Sequence, residues 1–282
     1  MHLKHLLTGS FVFFAFVSAV TAQGYVDFLP DEVKNPFIEK YKVISGKLSA
    51  EPADEWAGTY SREIGPTWSE VLVWDPQNGF AAFRDTCSNG PRAWVNYGGA
   101  SLQNGLVRFS AARSSKEEFV LELPGAEFTP IKWGDRHWLV PSNKLSLFAY
   151  AVNSRSGDPY QIAYLKSDDR DKRQTGYPDL PPPLRRLLLQ PPIKTRVIEI
   201  RPKTEDWYPS MTIDAGKDKG VIEEMSFWLV GQKGITFTVT VAEVGASNSV
   251  VRVTQAGRSQ DFEKDIVPTI GWRLTSRFPY PH

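Results

Sequence analysis

The residues best suited to chemistry lie in one short segment, Lys132-Trp133-Gly134-Asp135-Arg136-His137-Trp138. Asp135 and His137 are two positions apart, so on a β-strand their side chains share a face, as a carboxylate that orients a histidine base requires. Catalysis by such a pair also needs a nucleophile, and the sequence identifies none. We therefore assign no catalytic residue and keep Asp135, Arg136 and His137 as the candidates.

The alternative for this segment is a structural role. A turn at Gly134 leads into a strand, and Asp135 and Arg136 hold that turn through local hydrogen bonds. Asp135 then pairs with a nearby donor, either Arg136 or an arginine from another strand, while His137 packs partly exposed. On this alternative, loss of the Asp135 carboxylate should lower stability, whereas loss of the His137 imidazole should change it little.

Two indoles, Trp133 and Trp138, enclose the segment, and the chain has nine tryptophans in all. Aromatic rows can stack on sugars, so we predict Trp133 and Trp138 as the binding residues of this region. Core filling is the alternative for tryptophans within strand patterns, where aromatic residues are favoured. Three further tryptophans fit that alternative: Trp56, Trp74 and Trp94.

Composition argues against several kinds of site. Removal of an N-terminal signal would leave only His137 and His282 of the four histidines. Because zinc sites draw most ligands from Cys and His, we predict no metal site, and no sequence motif indicates a cofactor. The acids of residues 168–171 could suggest calcium, but interleaved basic residues favour a solvated charged loop. Cys87 is the only cysteine, so it is either a small buried residue or a reactive thiol.

The charge balance argues against two classes of partner. The chain has 33 Lys and Arg against 32 Asp and Glu, dispersed along its length. Such a chain has little attraction for nucleic-acid phosphates or for an anionic membrane surface. We therefore expect no nucleic acid as partner and no electrostatic grip on a membrane. A protein of the cell envelope is the partner that this leaves, and the oligomeric state is not predicted.

The first 22 residues have the pattern of a cleavable signal peptide. Basic or titratable residues precede an apolar run over residues 6–20, and Val20-Thr21-Ala22 follows with small residues at the cleavage positions. A membrane anchor would need about 20 apolar residues. We predict that the mature protein starts at Gln23, has no integral membrane segment, and is periplasmic or secreted in a Gram-negative bacterium.

A β pattern begins at Trp56. Short strands are predicted at residues 56–60, 70–74, 80–83, 92–97, 106–109 and 118–123. Asn-Gly or proline-containing turns separate several of them, which indicates an antiparallel meander that curls into a barrel or half-barrel. No helix-length segment lies between these strands, so a parallel α/β sheet is not expected. Helices are predicted at residues 35–44 and 142–153, and a further strand at 160–166.

Prolines mark the main boundary, because six of them fall within residues 177–192. Proline at this density makes a stiff linker, with a one-turn helix at 184–189, and a docking peptide is the alternative. We predict a signal peptide (1–22), an N-terminal β-meander domain (23–176), this linker (177–192) and a small C-terminal β-barrel (193–282). A protease should cut within residues 168–174 and leave two folded fragments.

A resemblance supports the predicted C-terminal barrel. Thr212-Ile213-Asp214-Ala215-Gly216, followed by Gly220-Val221 and Glu224-Met225, resembles a signature of small bacterial envelope β-barrels, such as the C-terminal domain of the flagellar T-ring assembly protein. The resemblance implies a barrel whose glycines shape a tight turn, and a role in assembly or binding rather than a reaction. Glu224 departs from the signature, which has glycine at this position.

The N-terminal half shows two weaker likenesses. From Trp56-x-Gly58-x-Tyr60 to Trp133-Gly134-Asp135-Arg136 it resembles a family of exported bacterial proteins to which no function is assigned, so this resemblance implies none. The order Trp-x-Gly is also the reverse of the Gly-x-Trp that opens lipocalins. A ligand-binding barrel of that type therefore stays open as an alternative.

Three functional hypotheses follow. The leading one is a non-enzymatic envelope protein whose two β modules act in binding or assembly. The second is a barrel that binds a small apolar or sugar-like ligand. The third is a hydrolase that uses Asp135 and His137. The interior of the first β unit separates them: a filled core favours assembly, a lined cavity favours ligand binding, and a cleft that exposes His137 beside a hydroxyl or second acid favours catalysis.

Overall fold

The computed structural model describes residues 26, 29–50, 54–63, 68–86, 95–111, 127–154, 159–201, 209–232, 235–258 and 266–277. Strands account for 44% of the structure and helices for 26%, so the prediction of a mostly β protein is confirmed. The predicted signal peptide, Cys87, Trp94 and the strand predicted at 118–123 lie outside the described residues. None of the helices in the described ranges is long and apolar enough to span a membrane.

The chain forms two compact units and passes between them three times. The first unit comprises Met1–Leu145 and Tyr160–Asp179, and the second comprises Ser146–Pro159 and Leu180–His282. The domains predicted from the sequence had a single crossing, at residues 177–192. The difference lies in residues 146–159, which belong to the first domain by sequence order and to the second unit by packing.

Eight strands of the first unit form a closed antiparallel barrel, in which sequence neighbours pair and β1 also pairs with β8. They are β1 Gly58–Glu63, β2 Trp68–Asp75, β3 Gly79–Thr86, β4 Val95–Gln103, β5 Leu106–Ala111, β6 Glu127–Trp133, β7 Arg136–Pro141 and β8 Tyr164–Lys166. The predicted turn Asn104-Gly105 joins β4 to β5 with positive φ at both residues. The predicted meander that curls into a barrel is thus confirmed.

Helix α1, Asp31–Ala50, covers the outer face of strands β2 to β4. Its buried residues recur every three or four positions: Val33, Phe37, Tyr41 and Ile44. The rings of Phe37 and Tyr41 pack against Phe83, at centroid distances of 6.2 and 6.3 Å. The helix begins before the predicted residue 35, where Asp31 and Glu32 complement the positive charge of a helix N-terminus.

Six strands of the second unit form the smaller closed barrel, in the order β10-β13-β12-β11-β14-β9. They are β9 Lys194–Ile200, β10 Met211–Ile213, β11 Ser226–Leu229, β12 Ile235–Val244, β13 Ser249–Arg258 and β14 Arg273–Thr275. Every strand contributes apolar side chains to one core. The predicted small C-terminal barrel is therefore confirmed.

Three of the described α-helices lie after β7, two of them before β8 and one after it. Residues 146–154 of α2, Leu145–Ser154, belong to the second unit, and Leu147 and Tyr150 pack in the core of its barrel. The strand predicted at 160–166 is wrong in its first half, because α3, Pro159–Ile162, precedes β8 and has proline at its first helical position. In the proline-rich segment, α4 spans Pro182–Leu188.

Candidate functional site

The candidate site lies at one end of the first barrel, where the β6–β7 hairpin meets the segment after β8. His137 is the second residue of β7, and alternation places its side chain on the same face as Leu139, which lies in the barrel core. Its Nδ1 is 2.6 Å from Oδ2 of Asp169, which also accepts the His137 backbone N–H at 2.6 Å. The carboxylate that orients this histidine is therefore Asp169.

Asp169 ends the short 3-10 helix Ser167–Asp169 and is fully buried. The prediction of a solvated loop is therefore wrong for this residue. Nζ of Lys172 lies 2.7 Å from its other oxygen, Oδ1. Burial alone would raise the pKa of the Asp169 carboxyl, but the contacts with Lys172 and His137 outweigh burial and hold that pKa below its ordinary value.

Sequence reasoning missed Asp169 for a physical reason. The residue lies 32 positions after His137, and only closure of the barrel through β8 brings the two together. Its surroundings in the sequence, Asp168 and Arg170, are charged, as expected of an exposed loop. The one available signal was that the sequence identifies no definite partner for His137. That signal does not single out Asp169 among the chain's acids.

Residues before β1 complete this end of the barrel. The indole of Trp56 meets the His137 ring edge to face, with centroids 4.9 Å apart. Glu55 accepts a hydrogen bond from Lys132 at 2.7 Å, and this bond is the main reason that the pKa of Glu55 is lowered. The Lys166 ammonium donates to the Glu55 carbonyl oxygen at 2.5 Å. Together these contacts hold the residues before β1 across the end of the barrel.

The second ring nitrogen of His137, Nε2, is buried and makes no hydrogen bond with the described residues. Oε2 of Glu55 lies 3.8 Å from it. Within the described part of the chain, no Ser, Thr or Cys side chain bonds to this nitrogen. The pair thus has a base and an orienting acid, but no nucleophile among the described residues.

The predicted pairing of Asp135 with His137 does not form. Asp135 lies in the turn before β7 rather than on the strand, so the two-residue alternation does not apply to it. Its backbone N–H donates to the Arg173 carbonyl oxygen at 3.0 Å, and the residue is exposed. Gly134, at φ 60°, makes this approach possible, because a Cβ there would lie 2.7 Å from the same carbonyl oxygen.

Arg136 holds the segment that carries Asp169. Its Nε donates to the Lys172 carbonyl oxygen at 2.8 Å, and its Nη2 donates to the Arg170 carbonyl oxygen at 2.7 Å. Nη1 donates to the Tyr160 hydroxyl and to Oε1 of Gln174, at 2.8 and 2.9 Å. Arg136 is therefore a structural clamp on residues 170–174, and it makes these contacts instead of the predicted pairing with Asp135.

The two predicted binding tryptophans have different surroundings. Trp138 is fully buried, and its ring packs between Trp133 and Tyr160, at centroid distances of 6.2 and 5.0 Å. Trp133 is partly exposed, and its Nε1 donates to the Gly176 carbonyl oxygen at 3.0 Å. Only Trp133 therefore offers part of its ring to a ligand, and its binding role stays a prediction.

The interior of the barrel also contains a buried ionic network. Each of its three charged residues, Arg62, Glu70 and Arg84, lies two positions from a core residue on the same strand, so all three point inward. The fully buried Glu70 accepts hydrogen bonds from Nε of Arg62 at 3.0 Å and from Nη2 of Arg84 at 2.6 Å. The Tyr164 hydroxyl donates to it at 2.7 Å, and burial raises the pKa of that hydroxyl well above its ordinary value.

Aromatic rings occupy the space next to this network. Phe109 is central, with its ring centroid 4.9 Å from Phe80, 5.4 Å from Phe128 and 5.8 Å from Trp74. Phe128 in turn meets Tyr164 at 5.8 Å. All eight strands contribute side chains to this cluster, directly or at its margin. The described part of the interior is thus a packed core with polar groups towards both ends of the barrel.

Comparisons with known proteins gave no match to any family model, to any curated protein or to any solved structure.

Proposed function

We propose that the protein is an exported, non-enzymatic binding or assembly module built from two β-barrels. The observation that carries this proposal is the packing of the first barrel. The Phe109 ring on β5 reaches across the interior to Trp74 on β2, three strands away in the barrel, and the Glu70 network occupies one end. A barrel filled in this way presents its outer surface and loops to a partner, in contrast to a barrel that encloses a small ligand.

The contacts of His137 support a structural role for it in this proposal. Its ring joins Trp56 to Asp169, and so ties the residues before β1 to those after β8. Asp169 is shared between His137 and Lys172, and Arg136 clamps the same segment. This is the pattern of a strand-end closure, in which the hydrogen bonds of the polar side chains fix the loops.

The proposal is tested by capture with the whole mature protein, starting at Gln23. Immobilised protein should retain a partner from an envelope extract of the source bacterium in near-stoichiometric amount. His137→Gln should retain the same amount, because the partner is expected on the outer surface. Intact-mass measurement of exported protein should show Gln23 as the first residue. A protein that captures nothing, or that keeps its apolar N-terminus, would contradict the proposal.

A hydrolase is the second candidate, and the Asp169–His137 geometry is the observation that favours it. An acid 2.6 Å from Nδ1 leaves Nε2 free to take a proton, as in a Ser-His-Asp triad. Wild type, His137→Gln and Lys144→Gln (an exchange outside this pair, as control) should be screened against ester, glycoside and peptide substrates. We expect no turnover. Turnover that disappears with His137→Gln alone would establish the hydrolase instead.

A further inference from the structure

A cleft of about 530 Å³ opens on the second barrel, next to strands β9 and β14. Its lining includes Lys194, Thr195, Val230, Arg273, Leu274 and Arg277. This volume falls within the range of sites that hold small molecules. All of these residues belong to one compact unit, so the second barrel alone forms the cleft.

The cleft is positively charged, since among its described lining residues three are cations and none is an acid. Lys194 pairs with Thr275 in the β9–β14 register, which places Arg273 diagonally across from Lys194 on the same face. Strand geometry puts such diagonal neighbours about 7–8 Å apart. No described side chain forms an ion pair or hydrogen bond with Lys194 or Arg273. By contrast, Arg196 on the same strand pair lies 3.6 Å from an Asp214 oxygen.

The third cation, Arg277, is held in place by hydrogen bonds. Nη2 of Arg277 donates to Oδ1 of Asn153 at 3.2 Å, and Asn153 in turn donates to the Gln190 carbonyl oxygen at 2.8 Å. Nε of Arg277 is buried and has no hydrogen-bond partner among the described residues. Ser276 exchanges two hydrogen bonds with the Ile193 backbone, at 2.8 and 2.9 Å. The guanidinium is therefore positioned while part of its donor capacity stays unused.

Positive charge that no described acid neutralises favours an anion, because bringing like charges together costs free energy that a bound anion removes. Most of the remaining wall is apolar and includes the partly exposed side chains of Val230 and Pro192. We propose that this cleft binds a small amphiphilic anion. Its carboxylate or phosphate group lies against Lys194, Arg273 and Arg277, and its apolar part contacts Val230 and Pro192. This site does not depend on the function proposed for the first barrel.

The test is calorimetric titration of the whole mature protein with octyl phosphate, octanoate, octanol and inorganic phosphate. At least one of the two amphiphilic anions should bind saturably, and its affinity should fall as NaCl is raised. Octanol and inorganic phosphate should each bind at least about tenfold more weakly than that anion, because each lacks half of the recognised groups. The stronger of octyl phosphate and octanoate identifies the head group.

Variants assign the binding to the cleft. Arg273→Gln should weaken the preferred anion about tenfold, the usual worth of a charge-assisted hydrogen bond. Lys194→Gln, at an exposed position, gives the same test if Arg273→Gln does not fold. Arg252→Gln, an exposed arginine on β13 outside the lining, should bind like wild type. Absence of saturable binding, equal binding of octanol, or wild-type affinity in Arg273→Gln would overturn the proposal.

Discussion

The carboxylate of Asp169 holds several groups at once. It accepts the backbone N–H of His137, contacts the His137 ring, and pairs with Lys172 while it is itself fully buried. A buried carboxylate is stable only while such partners remain, because unpaired burial of a charge is costly. At the scale of single residues, the end of the first barrel therefore depends more on Asp169 than on Asp135, which is exposed.

We expect Asp169→Asn to lower the free energy of unfolding by about 1.5–3 kcal/mol, the usual worth of hydrogen bonds to a charged group. Asp135→Asn is the matched control, since the same change at an exposed turn residue should cost less than about 0.5 kcal/mol. Urea denaturation of both variants measures the difference. A larger loss in Asp135→Asn would restore the prediction that its carboxylate holds the turn.

The lowered pKa of Asp169 sets the pH range of this effect. A carboxyl whose pKa is lower in the folded than in the unfolded state stabilises the fold above its unfolded value, about 3.9. That stabilisation is lost as the pH falls through the folded pKa. Asparagine does not titrate, so the difference in melting temperature between wild type and Asp169→Asn should shrink below about pH 4. A difference that is constant from pH 6 to acid would contradict the lowered pKa.

Among the elements, the connection between β10 and β11 is tightly constrained by backbone geometry. A Cβ on Gly216 would lie 2.5 Å from the Ala246 carbonyl oxygen, so the two chain segments can approach this closely only without a side chain. Gly220 has φ 82°, and Glu224 has φ 63°, one of two described non-glycine residues with positive φ. Glu224 is also where the sequence departs from the glycine of the envelope-barrel signature, and the backbone conformation explains why glycine suits that position.

Glu224→Gly should therefore raise the free energy of unfolding. The left-handed conformation costs a non-glycine residue roughly 1–2 kcal/mol, and glycine loses about 0.5–1 kcal/mol through its greater freedom in the unfolded chain. A net gain of about 0.5–1 kcal/mol is expected, measured by denaturant unfolding. The neighbouring Glu223→Gly is the control, and it should be neutral or destabilising because Glu223 does not have a positive φ. Destabilisation by Glu224→Gly would show that contacts of the glutamate side chain contribute more to stability than the removal of its strained backbone conformation.

At the scale of the whole molecule, the second unit is assembled from two separate stretches of chain. Residues 146–159 lie more than twenty positions before Leu180, where the rest of the unit begins. Tyr150 connects them, because its buried hydroxyl lies 2.6 Å from the carbonyl oxygens of Ser226 and Ser276. A cut at residues 168–174 would thus separate part of one core from the remainder, so two independently folded fragments are no longer expected.

A fragment from Leu180 to His282 should be less stable than the same unit in the intact chain, by at least about 3 kcal/mol, the cost of removing one buried aromatic. A peptide of residues 145–159 added in trans should restore stability in a concentration-dependent way. The same peptide with Tyr150→Phe should restore less. Circular dichroism melting curves measure all three. A fragment as stable as the intact unit would show that helix α2 is not needed by the barrel.

The parts of the fold that could be predicted from the sequence are those that depend on interactions between residues close together in the chain. Alternation and Asn-Gly turns place most strands, because side-chain period and turn conformation are properties of a few adjacent residues. Helix α1 was predicted for the same reason. The first half of the strand predicted at 160–166 was wrong. So short a segment fits both the two-residue period of a strand and the 3.6-residue period of a helix, and proline at its start favours a helix.

The sequence by itself determined the mostly β character, the two barrels, and the absence of a second cysteine or an internal second histidine in the chain after residue 22. Only the tertiary structure decided that Asp169 is the partner of His137, that Glu70 pairs with two arginines inside the first barrel, and that residues 146–154 belong to the second core. The physical reason is not the same for all three. Asp169 and Tyr150 lie far along the chain from the residues they contact, so only the tertiary fold brings these groups together. Arg62 and Arg84 face Glu70 directly across the β1–β2 and β2–β3 hairpins, so the register of the strands decides that network.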